Sequence, residues 1–371
     1  MRILFTGGGT GGHIFPILAV KREIENLAKE VSISPLFKFI GGTIEKRILE
    51  EVKREKIQVK KIISVKWRRY FSLKNFIDIL KFPFSFIQAL IEVWLFMPDV
   101  IFSKGGPGSL PVVIVGWLYQ IPVIVHESDS VPGVSNKISS FFSKKIAISF
   151  KESEKFFPKK KTILTGHPIR QGLFEGSIEE AKRFFNLTGE RKVILFLGGS
   201  QGAKKINSVL IDAIYKYVEK YEIIHICGPK NIKNVELLTK GILREEQRRY
   251  YHLYPYLNEK GMALAYKAAD IVVSRAGAGV IFETAALEKP VILLPLKGGA
   301  QDHQVKNAYY FARYGGGIVI EEINITPNFI FGRVSHLIEN QKLYEQMKKN
   351  CKKLAKPEAA REVAKIILEI G

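Results

Sequence analysis

Along this chain, short runs of β-branched and aliphatic residues alternate with longer stretches of helical periodicity, and several of the runs end in glycine. The runs predict strands at residues 2–5, 36–40, 59–63, 100–103, 122–126 and 163–165, then at 193–197, 223–226, 252–254, 271–274, 291–294 and 318–320. Helical segments between them imply parallel sheets covered by helices on both faces. One motif occurs twice. Arg2-Ile-Leu-Phe-Thr-Gly-Gly-Gly and Val193-Ile-Leu-Phe-Leu-Gly-Gly-Ser are each a buried strand that breaks into a glycine turn and opens a helix. Each reads as the first strand of its own sheet. The expected fold class is α/β, with two Rossmann-like doubly wound parallel-sheet domains facing a deep cleft. The switch falls near residues 165–170, which gives one domain of residues 1–166 plus 356–371 and another of 167–355. The amphipathic segment 358–370, after Lys356-Pro357, is expected to be a helix that returns to the N-terminal domain.

Residues 65–97 break the rhythm. Aromatic and basic side chains are interleaved there, and Pro83 is expected to end one helix and begin another. Trp67, Arg68, Arg69, Tyr70 and Phe71 are hard to bury together. With Phe76 and Leu80 they are expected to meet a membrane surface, since interfacial helices combine apolar wedges with Lys and Arg for anionic headgroups. Two ordinary core-facing helices are the alternative.

The charge balance sharpens that picture. The 371 residues include 57 Lys and Arg against 36 Asp and Glu, a formal net charge of +21. Such an excess favours an anionic partner, whether nucleic acid, anionic lipid or a phosphorylated substrate. The two cysteines, Cys227 and Cys351, have no metal-ligand spacing and imply no disulfide framework. The N-terminus lacks the pattern of a signal peptide. The apolar stretches 82–97 and 110–125 are broken by proline and polar residues and fall short of the ~20 apolar residues of a spanning helix. Any membrane contact is therefore expected at the surface.

Four glycine loops follow predicted strands: Gly7-Gly-Gly-Thr-Gly-Gly-His13, Lys104-Gly-Gly-Pro-Gly-Ser109, Gly198-Gly-Ser-Gln-Gly-Ala203 and Arg275-Ala-Gly-Ala-Gly-Val280. Glycine lets a backbone approach a ligand, and a helix that opens there turns free N–H groups toward it. Four such loops suggest strand ends that bind a ligand. The first is not a dinucleotide fingerprint, because Gly41-Gly-Thr stands where the second strand should end in an acidic residue. A nicotinamide or flavin dehydrogenase is disfavoured.

Gly8-Gly-Thr-Gly-Gly-His13, His126-Glu-Ser-Asp129, Gly166-His-Pro-Ile-Arg170, Gly198-Gly-Ser-Gln-Gly-Ala203, the loop 278–283 and Asp302-His-Gln-Val-Lys-Asn307 resemble, in order and spacing, the motifs of the MurG family. That family adds GlcNAc to lipid I in peptidoglycan synthesis. The resemblance covers nearly the whole chain. It implies an inverting, metal-independent transferase of the two-Rossmann GT-B type, with no cofactor and UDP-GlcNAc as donor. It implies donor contacts at Arg170, Ser200, Gln201, Gly202, Leu257, Ala278, Gly279, Val280, Glu283, Gln304 and Asn307. Arg170 and the Ser200 loop would meet the diphosphate, Leu257 the uracil and Glu283 the ribose. Gln304 and Asn307 would hold the sugar. Thr10, Gly11, Gly12 and Asp129 are further donor positions. Gly8, Gly9, Gly105, Gly106 and His126 would receive the diphosphate-lipid acceptor. An anionic membrane surface and proteins of cell-wall synthesis are the implied partners, at the cytoplasmic face of the bacterial plasma membrane, with no nucleic acid. The chain departs from the family's pattern at Pro107, where an aromatic residue is usual, at Asp129, where asparagine is usual, and at Val280, where threonine is common.

The chemistry independently asks for a base to take the acceptor hydroxyl's proton and for cations or dipoles to stabilise the departing UDP. His13 at a helix N-terminus is the expected base, kept neutral by the helix dipole. Capping or acceptor binding without proton transfer is its alternative role. Glu127 is the second candidate, as base or as orienting partner. Two other functions fit parts of the pattern: a sister transferase acting on another lipid such as diacylglycerol, and a basic nucleic-acid-binding protein. The second has no RNP, zinc or helix-turn-helix signature to support it.

Overall fold

The computed structural model describes the chain except residues 31, 33, 65–72, 107, 200–201 and 299–301, and describes the backbone alone for 73–79. It forms two compact units, Met1–Arg170 with Lys356–Gly371, and Gln171–Ala355.

The first unit is built on a parallel sheet of seven strands among the described residues: β1 (Arg2–Thr6), β2 (Leu36–Gly41), β3 (Gln58–Lys61), β4 (Val100–Ser103), β5 (Val123–Glu127), β6 (Lys145–Ile148) and β7 (Thr162–Leu164). Their spatial order is β3-β2-β1-β4-β5-β6-β7. Helices cover both faces, so the central strands are apolar on both sides: Ile3, Leu4 and Phe5 are all fully buried. Burying each such side chain contributes about 1.5–3 kcal/mol. The helix Ala359–Ile370 lies along the first helix, Gly11–Glu30, and sinks Val363, Ala364 and Ile367 into the same core as Ile14, Ile17 and Leu18. Arg361 and Glu30 join the two helices by an ion pair at 3.4 Å.

The second unit repeats the plan with β8 (Val193–Leu197), β9 (Glu222–Ile226), β10 (Tyr251–Tyr254), β11 (Ile271–Ser274), β12 (Val291–Leu293) and β13 (Gly317–Val319), in the order β10-β9-β8-β11-β12-β13. In each sheet the chain winds outward from its first strand and then returns to that strand's other side. The winding reverses between β1 and β4 in one sheet and between β8 and β11 in the other. The four glycine loops follow these four strands. They therefore stand at the two switch points, where open α/β sheets bind ligands.

Two expectations need correction. Pro83 does not end a helix: Leu73–Phe96 is continuous through it. Proline removes only one N–H from the ladder, and Lys81, Pro83 and Phe84 face solvent, where water can satisfy the freed carbonyl. Strand β6 was also not expected. Its Lys145-Ile-Ala-Ile follows a Ser-Lys-Lys run and carries a single β-branched alternation, too little to read as a strand. Ile146, Ala147 and Ile148 are nonetheless buried between β5 and β7.

Candidate active site

At the first switch point the two glycine loops are knitted together. The Gly8 N–H donates to the Gly105 carbonyl at 2.9 Å. Side chains are excluded here by contact: a Cβ on Gly9 would lie 1.9 Å from the Thr43 carbonyl oxygen, and one on Gly105 2.1 Å from Asn136 Oδ1. Gly105 and Gly106 also hold φ of +74° and +89°, the left-handed region glycine favours.

His13 sits in the first turn of Gly11–Glu30, half-buried. Its Nδ1 is 3.1 Å from Thr10 Oγ1. A Cβ on Gly8 would meet Nδ1 at 2.8 Å, and one on Gly106 would meet Nε2 at 3.0 Å. The ring's seat thus depends on both loops being glycine, and Nε2 lies beside Gly106. Burial and then the Lys104 charge lower the His13 pKa to about 4, with Asp129 opposing them. The imidazole is neutral at pH 7. Thr10 is half-buried, Gly11 buried and Gly12 exposed.

Glu127 ends β5 and is 3% exposed. Its carboxylate accepts from the Asp129 N–H at 2.9 Å, from Asn136 Nδ2 at 2.8 Å and from the Gly133 N–H at 3.3 Å. Burial and the neighbouring Asp129 push its pKa up. His126 is fully buried, with Nε2 3.1 Å from the Gly166 carbonyl oxygen and its ring edge-on to His167 at 6.0 Å. It faces the sheet interior rather than an open loop. Arg170 is the last residue of this unit. Its guanidinium lies 4.1 Å from the Phe15 ring centre and 3.9 Å from the Glu51 carboxylate.

Sequence reasoning missed two members of this cluster. Lys104 is 2% exposed and its ammonium bonds to the Ser128 hydroxyl. Burial lowers its pKa, while Glu127 and Asp129 act against that. Asn136 donates both to Glu127 and to the His126 carbonyl, at 3.2 Å. The lysine opens the second glycine motif. A cation at the end of a buried strand is the signal the sequence carries for it.

At the second switch point, Gly202 packs where a Cβ would stand 2.4 Å from both Asn231 Nδ2 and the Cys227 carbonyl oxygen. Residues 278–283 are not a loop: they form the first turns of the helix Ala278–Ala286. Ala278 is buried, while Gly279, Val280 and Glu283 are half-buried on one face of that helix. The Tyr266 hydroxyl donates to Glu283 Oε2 at 2.7 Å and so fixes the carboxylate. Gln304, in the helix His303–Arg313, accepts from the Leu296 N–H at 3.1 Å. Asn307 is fully buried and Leu257 is 7% exposed. Ser200, Gln201, Trp67, Arg68, Arg69, Tyr70, Phe71 and the Phe76 side chain lie outside the described residues.

Two doubly wound parallel sheets with glycine loops at their switch points are the build of a two-domain nucleotide-sugar glycosyltransferase. Residues 3–148 match the glycosyltransferase family 28 N-terminal domain, and residues 193–363 the family 28 C-terminal domain. The chain is 38% identical, over 93% of its own length and 93% of the relative's, to a UDP-N-acetylglucosamine--N-acetylmuramyl-(pentapeptide) pyrophosphoryl-undecaprenol N-acetylglucosamine transferase of Bacillus thuringiensis. A Clostridium botulinum transferase of the same name is 38% identical over 92% of each chain. The crystal structure of Acinetobacter baumannii MurG superposes with a TM-score of 0.73 at 22% identity, covering 99% of both chains. The chain belongs to the MurG family of glycosyltransferases.

Proposed function

We propose that this enzyme transfers GlcNAc from UDP-GlcNAc, with inversion, to the MurNAc 4-hydroxyl of undecaprenyl-diphosphate-MurNAc-peptide. One observation carries the reading: His13 is seated between two side-chain-free loops, within reach of the Lys104 and Asp129 charges, in a chain 38% identical to a transferase of that name across 93% of both lengths.

The two base candidates differ physically. Glu127 is buried, and three N–H donors already engage its oxygens, so it holds the 127–136 turn. His13 is the more accessible and keeps a nitrogen beside Gly106. Proton removal is assigned to His13 Nε2, with Nδ1–H donating to Thr10. Gly8, Gly9, Gly105 and Gly106 leave backbone room for the acceptor's diphosphate. His126, buried, acts as a strut. In the second unit the Gly202 loop and the helix starting at Ala278 supply N–H groups and dipole to the donor. Glu283, held by Tyr266, accepts from the ribose hydroxyls, and Gln304 and Asn307 take the sugar. Incubating the protein with labelled UDP-GlcNAc and a lipid I analogue should give labelled disaccharide-lipid with and without chelator. Transfer to diacylglycerol but not to lipid I would sink the acceptor assignment.

Membrane contact is the second part of the proposal. Among the described residues no helix is long and apolar enough to cross a membrane. The helix Leu73–Phe96 instead exposes Leu80, Phe84, Ile87, Ile91, Trp94 and Leu95, with Phe84, Trp94 and Leu95 above 60%. Spacings of four, three, four and three along the first five put them in one stripe on its outer face. Exposed apolar stripes of this length mark interaction surfaces, and the chain's +21 charge suits anionic lipid. Phe84→Ser with Trp94→Ser should weaken binding to anionic phospholipid vesicles by about tenfold or more, with the melting temperature held. Undiminished binding would remove the stripe from this role.

A further inference from the structure

Lys104 joins two strands, two loops and a turn. Its N–H donates to the Thr6 carbonyl at 2.8 Å, which ties the end of β4 to the end of β1. Its side chain passes beneath the first glycine loop: a Cβ on Gly7 would come within 3.3 Å of Lys104 Cβ. It ends on the Ser128 hydroxyl, between Glu127 and Asp129, and both carboxylates act on its charge. An ammonium this deeply buried is costly unless it is paired. The carboxylates have the converse problem. They stand two residues apart on one turn and raise each other's energy when both ionise, and Asn136, which holds Glu127, lies against Gly105 in a loop assigned above to a diphosphate.

We propose that Lys104 and Asp129 form a charge pair that must be kept or removed together, with Lys104 as a positioning residue that neutralises the 127–129 turn and pins it through Ser128 so that a diphosphate acceptor can approach. The inference rests on the acceptor reading of the first unit, and it moves Asp129 from the donor positions expected from the sequence to the acceptor side. Lys104→Met leaves the two carboxylates of the turn without their cation next to the acceptor's diphosphate, and also strengthens their mutual repulsion. Asp129→Asn alone leaves the ammonium paired with Glu127 only. Removing both charges leaves Glu127 in its three hydrogen bonds and the pocket close to its original net charge.

The test is a double-mutant cycle. Lys104→Met should raise the KM for a lipid I analogue at least about tenfold while leaving UDP-GlcNAc affinity unchanged. Lys104→Met with Asp129→Asn should return that KM to within about threefold of the parent. A double variant no better than Lys104→Met, or a loss confined to kcat, overturns the pair. If Lys104→Met is too unstable for kinetics, the coupling is read in thermal melts. Asp129→Asn should raise the melting temperature of the Lys104→Met protein and lower that of the parent, and a change of the same sign in both backgrounds overturns the proposal. The melts read the pair even if the parent fails to use lipid I, so the two readings fail separately.

Discussion

Replacing His13 with alanine is expected to leave UDP-GlcNAc binding intact and to lower turnover about 10²–10⁴-fold, the range for a lost general base. The expectation follows from where the ring sits. It occupies the first turn of a helix whose core face is carried by Ile14, Ile17 and Leu18, so truncation costs no core packing. Its hydrogen-bond partner is Thr10, and the two glycine loops lie against its ring. The donor contacts assigned above to the second unit do not involve it. The pKa of about 4 makes His13 fully neutral at neutral pH but a weak base in the resting protein. The negative charge of the acceptor's diphosphate, and the charge that develops on the departing UDP, would raise it, so proton affinity would grow as the reaction proceeds. The measurement is single-turnover transfer to a lipid I analogue alongside equilibrium binding of UDP-GlcNAc. Near-normal transfer would leave the ring a capping role only.

Most of the fold was legible because parallel strands buried on both faces announce themselves as unbroken apolar runs, and glycine marks where they stop. The echo between residues 2–9 and 193–200 located both sheets. The four glycine loops fall on the four strands that flank the switch points, which is why so much of the site could be read as motif. What escaped depends on contacts between segments distant in sequence. Strand β6 is held by β5 and β7 rather than by its own pattern. The helix through Pro83 survives because its solvent face tolerates one missing bond. Helical spacing sets Phe84, Ile87, Ile91 and Trp94 outward, a stripe that the basic-aromatic cluster at 67–71, outside the described residues, overshadowed in the sequence. Lys104 went unnoticed because a lysine beside glycines reads as a solvated charge until the fold shows it buried.

The second large effect is on stability, and it comes from histidines held neutral. His13 is lowered to about 4 and His225 to about 3, and His126 and His167 fall well below their ordinary value, all chiefly by burial. His225 shows the cause most simply. It is fully buried, with Nε2 3.0 Å from Asn207 Oδ1 and Nδ1 2.8 Å from the Tyr251 hydroxyl, an arrangement that suits one neutral tautomer. For a group lowered on folding, the unfolded chain binds the proton first as pH falls. Stability is therefore complete above about 6.5 and is lost on the way down to the folded value. At pH 5 His225 alone costs about 2 kcal/mol. Glu127, raised by burial, acts the other way over part of this range, so four groups oppose one. Glu55, Glu92 and Glu222 are lowered and add their losses only below about 4.5. The melting temperature should drop steeply between pH 7 and pH 5, before ordinary carboxylates titrate. Calorimetry at pH 5.5 in buffers of different ionisation enthalpy should show unfolding taking up about three protons. A melting temperature flat across that interval, with no proton uptake, would mean these rings are charged or exposed in the folded protein, and would remove the neutral base on which the proposed transfer depends.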